Sequence, residues 1–478
     1  MKKKYNALIK NIGLFTIGNF GSKLVSFLMI PLYTAILSTT DYGTVDLIQS
    51  TAQLLMPILL LSIQDATLRF GMDPKYKKED VLSTTINVII KGTAILLIGI
   101  IIVNATGIIK LSLEYEIFLF FAFLLGALNN CLNLYLKSRD KASVIAIGGI
   151  IGTIVTCLSN ILSLVIFKLG INGYIISNLL GIFIQLLYQF IVGKIYKDLH
   201  INKYNNISKP MIKYSTPLIA NSIAWWINNA SDRYILTWIS GINANGIYAI
   251  AYKIPNMLTT FQNIFQNAWS ISAISEFDKD DTDGFIGNNY MLYSFVSIIG
   301  CSIILLFNIP IASILYSDQY FEAWKYVPFL LMGTVFNGIA QLEGALFSAT
   351  KRTKEVSKTT VIGAVVNTIG NLMFIHIWGI MGAALSTMIG YGLMWLLRTK
   401  SLQKFIKMKI DWKKHSIAII ILLLQTILAT FNILYFVQLL LFALNIIIHW
   451  SYISQVFNKV CCKFNIKINF KNWFLICQ

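Results

Sequence analysis

Eight ionisable side chains stand where an otherwise apolar chain can least accommodate them: Lys23, Asp65, Arg69, Lys91, Asp232, Arg233, Lys253 and Glu343. A ninth, Glu276, sits at the end of an apolar run. A charge at the centre of a lipid-embedded helix costs about 3 kcal/mol or more, so such a residue marks a hydrophilic path or a neutralising partner. Deep in the runs, Lys23, Lys91, Arg233 and Lys253 oppose only Asp232 and Glu343, a modest cationic surplus. That surplus suits an anion: Arg offers two parallel N–H donors to a phosphate or carboxylate, and Lys a compact point charge.

Spacing refines the roles. Lys23 lies about twelve residues into its run, near mid-depth at roughly 1.5 Å per residue, too deep to reach either surface easily. Lys91 and Lys253 are shallower and can either snorkel or face a path. Adjacent helical residues point in different directions, so Asp232 and Arg233 do not simply neutralise each other. We expect Arg233 to face the path with Asp232 orienting it, and Asn228 and Asn229 to add hydrogen-bonding groups one turn earlier. Asp65 and Arg69 have the favourable acid-before-base i,i+4 spacing, which reads equally as a gating salt bridge and as a contact to whatever passes. Glu343 is the best-placed carboxylate for proton coupling or for pairing with a Lys, whereas His376 reads as an interface residue.

The elements that must hold these groups are membrane helices. The chain has 478 residues, 56% hydrophobic and 13% charged, about half the charge a soluble surface uses. Runs long enough to cross a bilayer fall at approximately 11–37, 44–69, 82–106, 115–136, 142–167, 171–193, 213–239, 244–273, 288–316, 325–349, 357–378, 380–397, 415–432 and 434–456. The expected fold is therefore an all-α integral membrane protein of about fourteen transmembrane helices. The net charge of +18 is confined to short clusters between runs. With the N-terminus inside, nearly all of it falls in inner loops, including the basic segments 194–213 and 398–414. Only Lys110, Lys168 and Lys325 lie outside, the asymmetry that sets topology. That distribution points to membrane lipids as neighbours rather than nucleic acid. It also places both termini in the cytoplasm and the protein in the cytoplasmic membrane. Cys131, Cys157, Cys301, Cys461, Cys462 and Cys477 show no ligand spacing, so neither metal nor any other cofactor is expected. No GxxxxGK[ST] loop is present for ATP.

The chain also repeats itself. Residues 41–48 (DYGTVDLI) return as 244–251 (ANGIYAIA), and Asn160 through Gly170-Ile-Asn-Gly173 to Gly181 returns as Asn371 through Gly379-Ile-Met-Gly382 to Gly390. Copies six helices apart share one orientation. This gives two parallel six-helix bundles, 1–193 and 213–398, joined by a basic linker, 194–212. A basic loop, 399–414, two further helices, 415–456, and a basic tail, 457–478, complete the chain. Parallel halves about an axis along the membrane normal are a transporter architecture, with the path at the repeat interface. No outer loop is long enough for the active site of a polymerase or ligase.

Asn11 to Lys23 (NIGLFTIGNFGSK), Pro31 to Thr34 (PLYT), Ser38 to Gly43 (STTDYG) and Gln64 to Phe70 (QDATLRF) resemble the polysaccharide flippases. These are the Wzx-type O-antigen and capsule exporters of the multidrug/oligosaccharidyl-lipid/polysaccharide exporter superfamily. The resemblance implies transfer of an undecaprenyl-pyrophosphate-linked oligosaccharide from inner to outer leaflet, by alternating access and not by enzymatic chemistry. It also implies a polysaccharide polymerase and glycosyltransferases as partners. Lys23, Lys91, Arg233, Lys253, Asn228 and Asn229 would then line the substrate cavity, the amides meeting sugar hydroxyls. Asp65, Arg69, Asp232 and Glu343 would gate or couple. The competing reading, a cation-coupled multidrug antiporter of the same superfamily, calls for twelve spans and no surplus of cavity lysines.

Overall fold

Each of the fourteen apolar runs contains a helix in the computed structural model, which describes residues 23, 25–107, 112–199, 206–350 and 352–450. The start of the first run, Lys110, Lys203, Lys351 and the tail with Cys461, Cys462 and Cys477 lie outside the described residues. No strand occurs among the described residues, and the chain is an all-helical, multi-pass membrane protein.

The count of spans is less simple than the sequence suggests. Among the described residues nine helices are long and apolar enough to cross a bilayer, or ten if Thr39–Leu59 and Ile63–Gly71 form one bent span. Fourteen is therefore not established. The reason is physical: Leu218–Ser240 and Lys253–Ser275 are each 23 residues long, but their polar residues keep them from the apolar class. They are the helices that carry Arg233 and Lys253.

Several runs are broken where the sequence dictates it. In the second, Pro57 removes a backbone donor and Leu61 and Ser62 adopt left-handed φ values of 52° and 50°, turning the helix by 60°. Its start is capped by Ser38, whose Oγ accepts from the Asp41 amide at 3.1 Å. The duplicated turns also match in detail. Gly170 and Gly379 have φ of +55° and +54°, at the start of Gly170–Val192 and just before Ile380–Leu402. A Cβ on Gly181 would approach the Gly152 carbonyl at 2.8 Å, and one on Gly390 the Gly363 carbonyl at 3.1 Å. Each half thus closes its last helical hairpin through a small-residue crossing.

The hydrophobic core is shared unevenly. One cluster joins the second half to Met29, Tyr33, Tyr42, Val45 and Ile48 of the first. Phe118, Cys157, Leu164, Tyr174 and Ile175 of the first half join that cluster too, while other parts of it pack in separate clusters around Met56, Ile63 and Phe123 and around Leu132 and Tyr135. The halves therefore share a core only at the end remote from the basic loops.

Candidate functional site

Two helices from opposite halves, one in the second run and one in the seventh, face each other across a gap. Gln49, Ala52, Gln53, Met56 and Pro57 form an i, i+3, i+4, i+7, i+8 stripe on Thr39–Leu59, the spacing of one helix face. Opposite runs a second stripe, Ser222, Trp225, Trp226, Asn229, Ala230 and Arg233, on Leu218–Ser240. With Asn129, Asn130 and Asn178 from the first half and Tyr252 and Asn256 from the second, they enclose a cavity of about 900 Å³. Carboxamides and indoles dominate its polar wall.

A smaller crevice of about 160 Å³ adjoins it and shares Asn256. One wall is Lys23, Ser26, Phe27 and Ile30; the other is Lys253, Asn256, Met257, Thr260 and Phe261. Lys23 is exposed and Lys253 half-buried, with the Lys253 ammonium 5.5 Å from the centroid of the Tyr42 ring. Among the described residues no carboxylate pairs with either lysine. Two cations on facing walls, with no carboxylate partner among the described residues and next to a polar cavity, can receive a phosphate group.

Arg233 lines the large cavity, but its partner is one the sequence analysis missed. Its guanidinium donates to Asp46 at 2.9 Å and to Ser50 at 3.1 Å and lies 5.8 Å from the Tyr252 ring centroid. Asp46 falls within the duplicated segment 41–48; its signal is its place inside an apolar run, where an acid needs a cation on another helix. Asp232 does not orient the guanidinium. It is buried and turned into the second half, accepting from the Tyr248 hydroxyl at 2.5 Å, from the Arg233 amide at 2.9 Å and from Thr387 at 3.5 Å. Asn228 is likewise buried, while Asn229 faces the cavity and accepts from Tyr391 at 2.9 Å.

Other expected site residues lie elsewhere. Lys91 is exposed beside Ile90 and Ile95, which are 54% and 55% exposed, on the outward apolar face of Lys78–Thr106, and it does not line the cavity. Periodicity within that uniformly apolar run gave no way to tell the two faces apart. Asp65 and Arg69 form no ion pair with each other and do not line the cavity; their helix, beyond the 60° bend, packs on Ser208–Ser215. Glu343 is fully buried away from the cavity, accepting from Thr399 at 2.5 Å and Tyr290 at 3.3 Å. Close by, Arg398, grouped by sequence with the loop cations, is 1% exposed. It donates to the carbonyls of Ala340 (2.8 Å) and Val356 (3.2 Å) and to the hydroxyls of Thr359 (3.1 Å) and Thr360 (2.8 Å). His376 is exposed on its own helix. No group of His, Cys, Asp or Glu among the described residues could hold a metal ion.

The remote end of the cavity is shut by the repeat mates themselves. A Cβ on Gly43 would come within 2.9 Å of the Gly246 nitrogen. Asn245 donates to the Gly43 carbonyl at 3.0 Å and to Asp46 at 3.4 Å, and Thr40 donates to the Asn243 side chain. Around this contact, Thr34 donates to the Leu315 carbonyl at 2.9 Å and Tyr320 to the Ser38 carbonyl at 2.8 Å.

Comparison with known proteins places this geometry. A family described as polysaccharide biosynthesis protein matches residues 8–277. Two uncharacterized membrane proteins of Methanocaldococcus jannaschii are 26% and 23% identical over 238 and 230 residues. The alignments span 47% and 45% of this chain and 46% and 52% of those proteins, about half the length of each. Among solved structures, a lipid II flippase MurJ in an inward closed conformation superposes with a TM-score of 0.68 at 16% identity, covering 94% of this chain and 99% of that one. An outward-facing multidrug resistance MATE family transporter of the MOP superfamily gives 0.60 at 12% identity, covering 84% and 95%. The fold is the one these transporters share.

Proposed function

The chain belongs to the polysaccharide biosynthesis protein family, and from that premise we propose that it is a flippase. In this reading it carries an undecaprenyl-pyrophosphate-linked oligosaccharide from the inner to the outer leaflet of the cytoplasmic membrane. It is a transporter and not an enzyme, with the basic loops and both termini in the cytoplasm. The observation that carries the reading is the pairing of a large amide-lined cavity with a crevice holding two uncompensated lysines. A lipid-linked glycan needs both: polar volume for sugars and cations for the pyrophosphate, whose charges cannot cross a low-dielectric slab unpaired.

The substrate enters between the first, second, seventh and eighth runs, with its polyprenyl tail left in lipid. Lys23 and Lys253 take the pyrophosphate, and Arg233 and Asn229 border the sugars. The contact between Gly43 and Gly246 is the seal that must part to release the glycan outside. Conversely, the basic end must close behind it, the alternation that carries cargo without opening a channel. Buried Asp232 and Glu343 are the groups whose protonation or ion contact would couple the two states, with Asp65 and Arg69 at the hinge of the bent helix. The surrounding machinery would be glycosyltransferases that build the glycan and a polymerase that consumes it.

The test is genetic. Lys23→Ala, Lys253→Ala and Arg233→Ala, each present in the membrane at the wild-type level, should lose surface polysaccharide. Normal display in all three strains would remove these residues, and with them this account of the site.

A further inference from the structure

We infer that the oligosaccharide taken by the large cavity is an uncharged one, its sugars bound by carboxamides and an indole face. The inference rests on the flippase reading and narrows its substrate. Among the described residues lining the cavity, Arg233 alone is charged, and its charge is already matched by Asp46, to which its Nη1 donates along with Ser50. The two unpaired cations lie in the adjoining crevice, where the pyrophosphate binds. A uronic acid or a phosphate substituent on the glycan would therefore enter the cavity with no free cation to receive it. An uncompensated carboxylate in such surroundings is strongly disfavoured.

The same wall is well furnished for hydroxyl groups. Gln49, Gln53 and Gln64 carry no side-chain hydrogen bond to another described residue, so each presents a carbonyl acceptor and two N–H donors to the cavity. A sugar hydroxyl is both donor and acceptor and can satisfy each kind. The two indoles differ in a way that assigns their roles. Trp226 is pinned, its Nε1 donating to the Ser50 carbonyl at 2.9 Å and its ring edge-on to Tyr234 at 5.3 Å. Trp225 makes no side-chain hydrogen bond or ring contact with another described residue. Its face is free to cover the apolar C–H face of a pyranose ring.

The experiment uses the full chain in lipid nanodiscs and three probes. They are polyprenyl pyrophosphate without sugar, the same lipid bearing a trisaccharide of hexose and N-acetylhexosamine, and that trisaccharide with one hexose replaced by its uronic acid. We expect the neutral trisaccharide lipid to bind roughly tenfold to a hundredfold tighter than the uronate. Trp225→Ala and Gln53→Ala should weaken binding of the neutral glycan lipid and leave the sugar-free lipid unchanged, and Trp225→Phe should restore much of the loss. Gln53→Lys should shift preference toward the uronate. Gln53 is exposed to the cavity, so its variants report even where a Trp225 variant fails to fold. Equal or tighter binding of the uronate overturns the inference while leaving the flippase reading intact. Failure of all three lipids to bind overturns both.

Discussion

Lys23 and Arg398 are both cations in an apolar chain, and the molecule treats them in opposite ways. Arg398 is enclosed in the second half, where four hydrogen bonds to Ala340, Val356, Thr359 and Thr360 commit four of its five N–H donors to neutral acceptors. The buried carboxylate of Glu343, on the same helix as Ala340, is held by Tyr290 and Thr399. Lys23 and Lys253 line an open crevice with no such arrangement. A buried charge whose donors are so largely committed rigidifies its surroundings, because any change strands its partners. A charge facing an open polar crevice stays solvated and available to an anion. The difference separates the part of the protein built to hold its shape from the part built to receive something.

The sharpest way to break that distinction is to reverse the crevice. A Lys23→Glu, Lys253→Glu double variant should reduce surface polysaccharide to background, since two carboxylates would repel the pyrophosphate. Its melting temperature in detergent should match the wild type, because neither lysine supports a described ion pair. A large fall in melting temperature would mean that the crevice is structural after all. Arg398→Leu tests the other side. It strands buried carbonyls and hydroxyls and should cost about 3–5 kcal/mol, read as a marked drop in melting temperature and in membrane level. If Arg398→Leu protein were as stable as wild type and failed only in transport, the two regions would have exchanged roles.

Between these extremes stands Arg233, which faces the cavity and is paired. Asp46→Asn keeps the shape of the acceptor but removes the charge that holds the guanidinium. Surface polysaccharide should fall severalfold without disappearing, because Ser50 and Asn245 still tie the helices together across the gap. Complete loss would place Asp46 itself on the path, and no change would show that Arg233 needs no orientation.

Most of the architecture was legible in the sequence because the bilayer constrains it. Long apolar runs can only be helices there, and the glycine-marked repeat points to turns at Gly170 and Gly379, both of which have positive φ. Less legible was where the halves touch. The repeated segments 41–48 and 244–251 were recognised as copies, but nothing in either copy says that the two meet at Gly43 and Gly246. The site was half legible. Depth along a run singles out Lys23 but leaves Lys253 open, and the two line one crevice. Depth cannot report azimuth, and so Asn228 and Asp232 face the interior of the second half while Asn229 and Arg233, their immediate neighbours, face the cavity. By sequence Arg398 groups with the loop cations because it ends an apolar run. Only packing shows that the helix continues past it to Leu402.

Lys91 gives the smallest predicted effect and a clean control for the rest. It shares the ambiguous depth of Lys253 and the same residue type, but it emerges among Ile90, Ile95 and Ile98 on the outward face of its helix. A lysine in that position reaches its ammonium toward the headgroups and lays its methylenes along the lipid-facing surface. Lys91→Leu should therefore leave surface polysaccharide at the wild-type level and change stability by less than about 1 kcal/mol. If it instead abolished display while Lys253→Ala did not, the cationic path would run along the third helix, and the crevice between the halves would lose its claim to the phosphate.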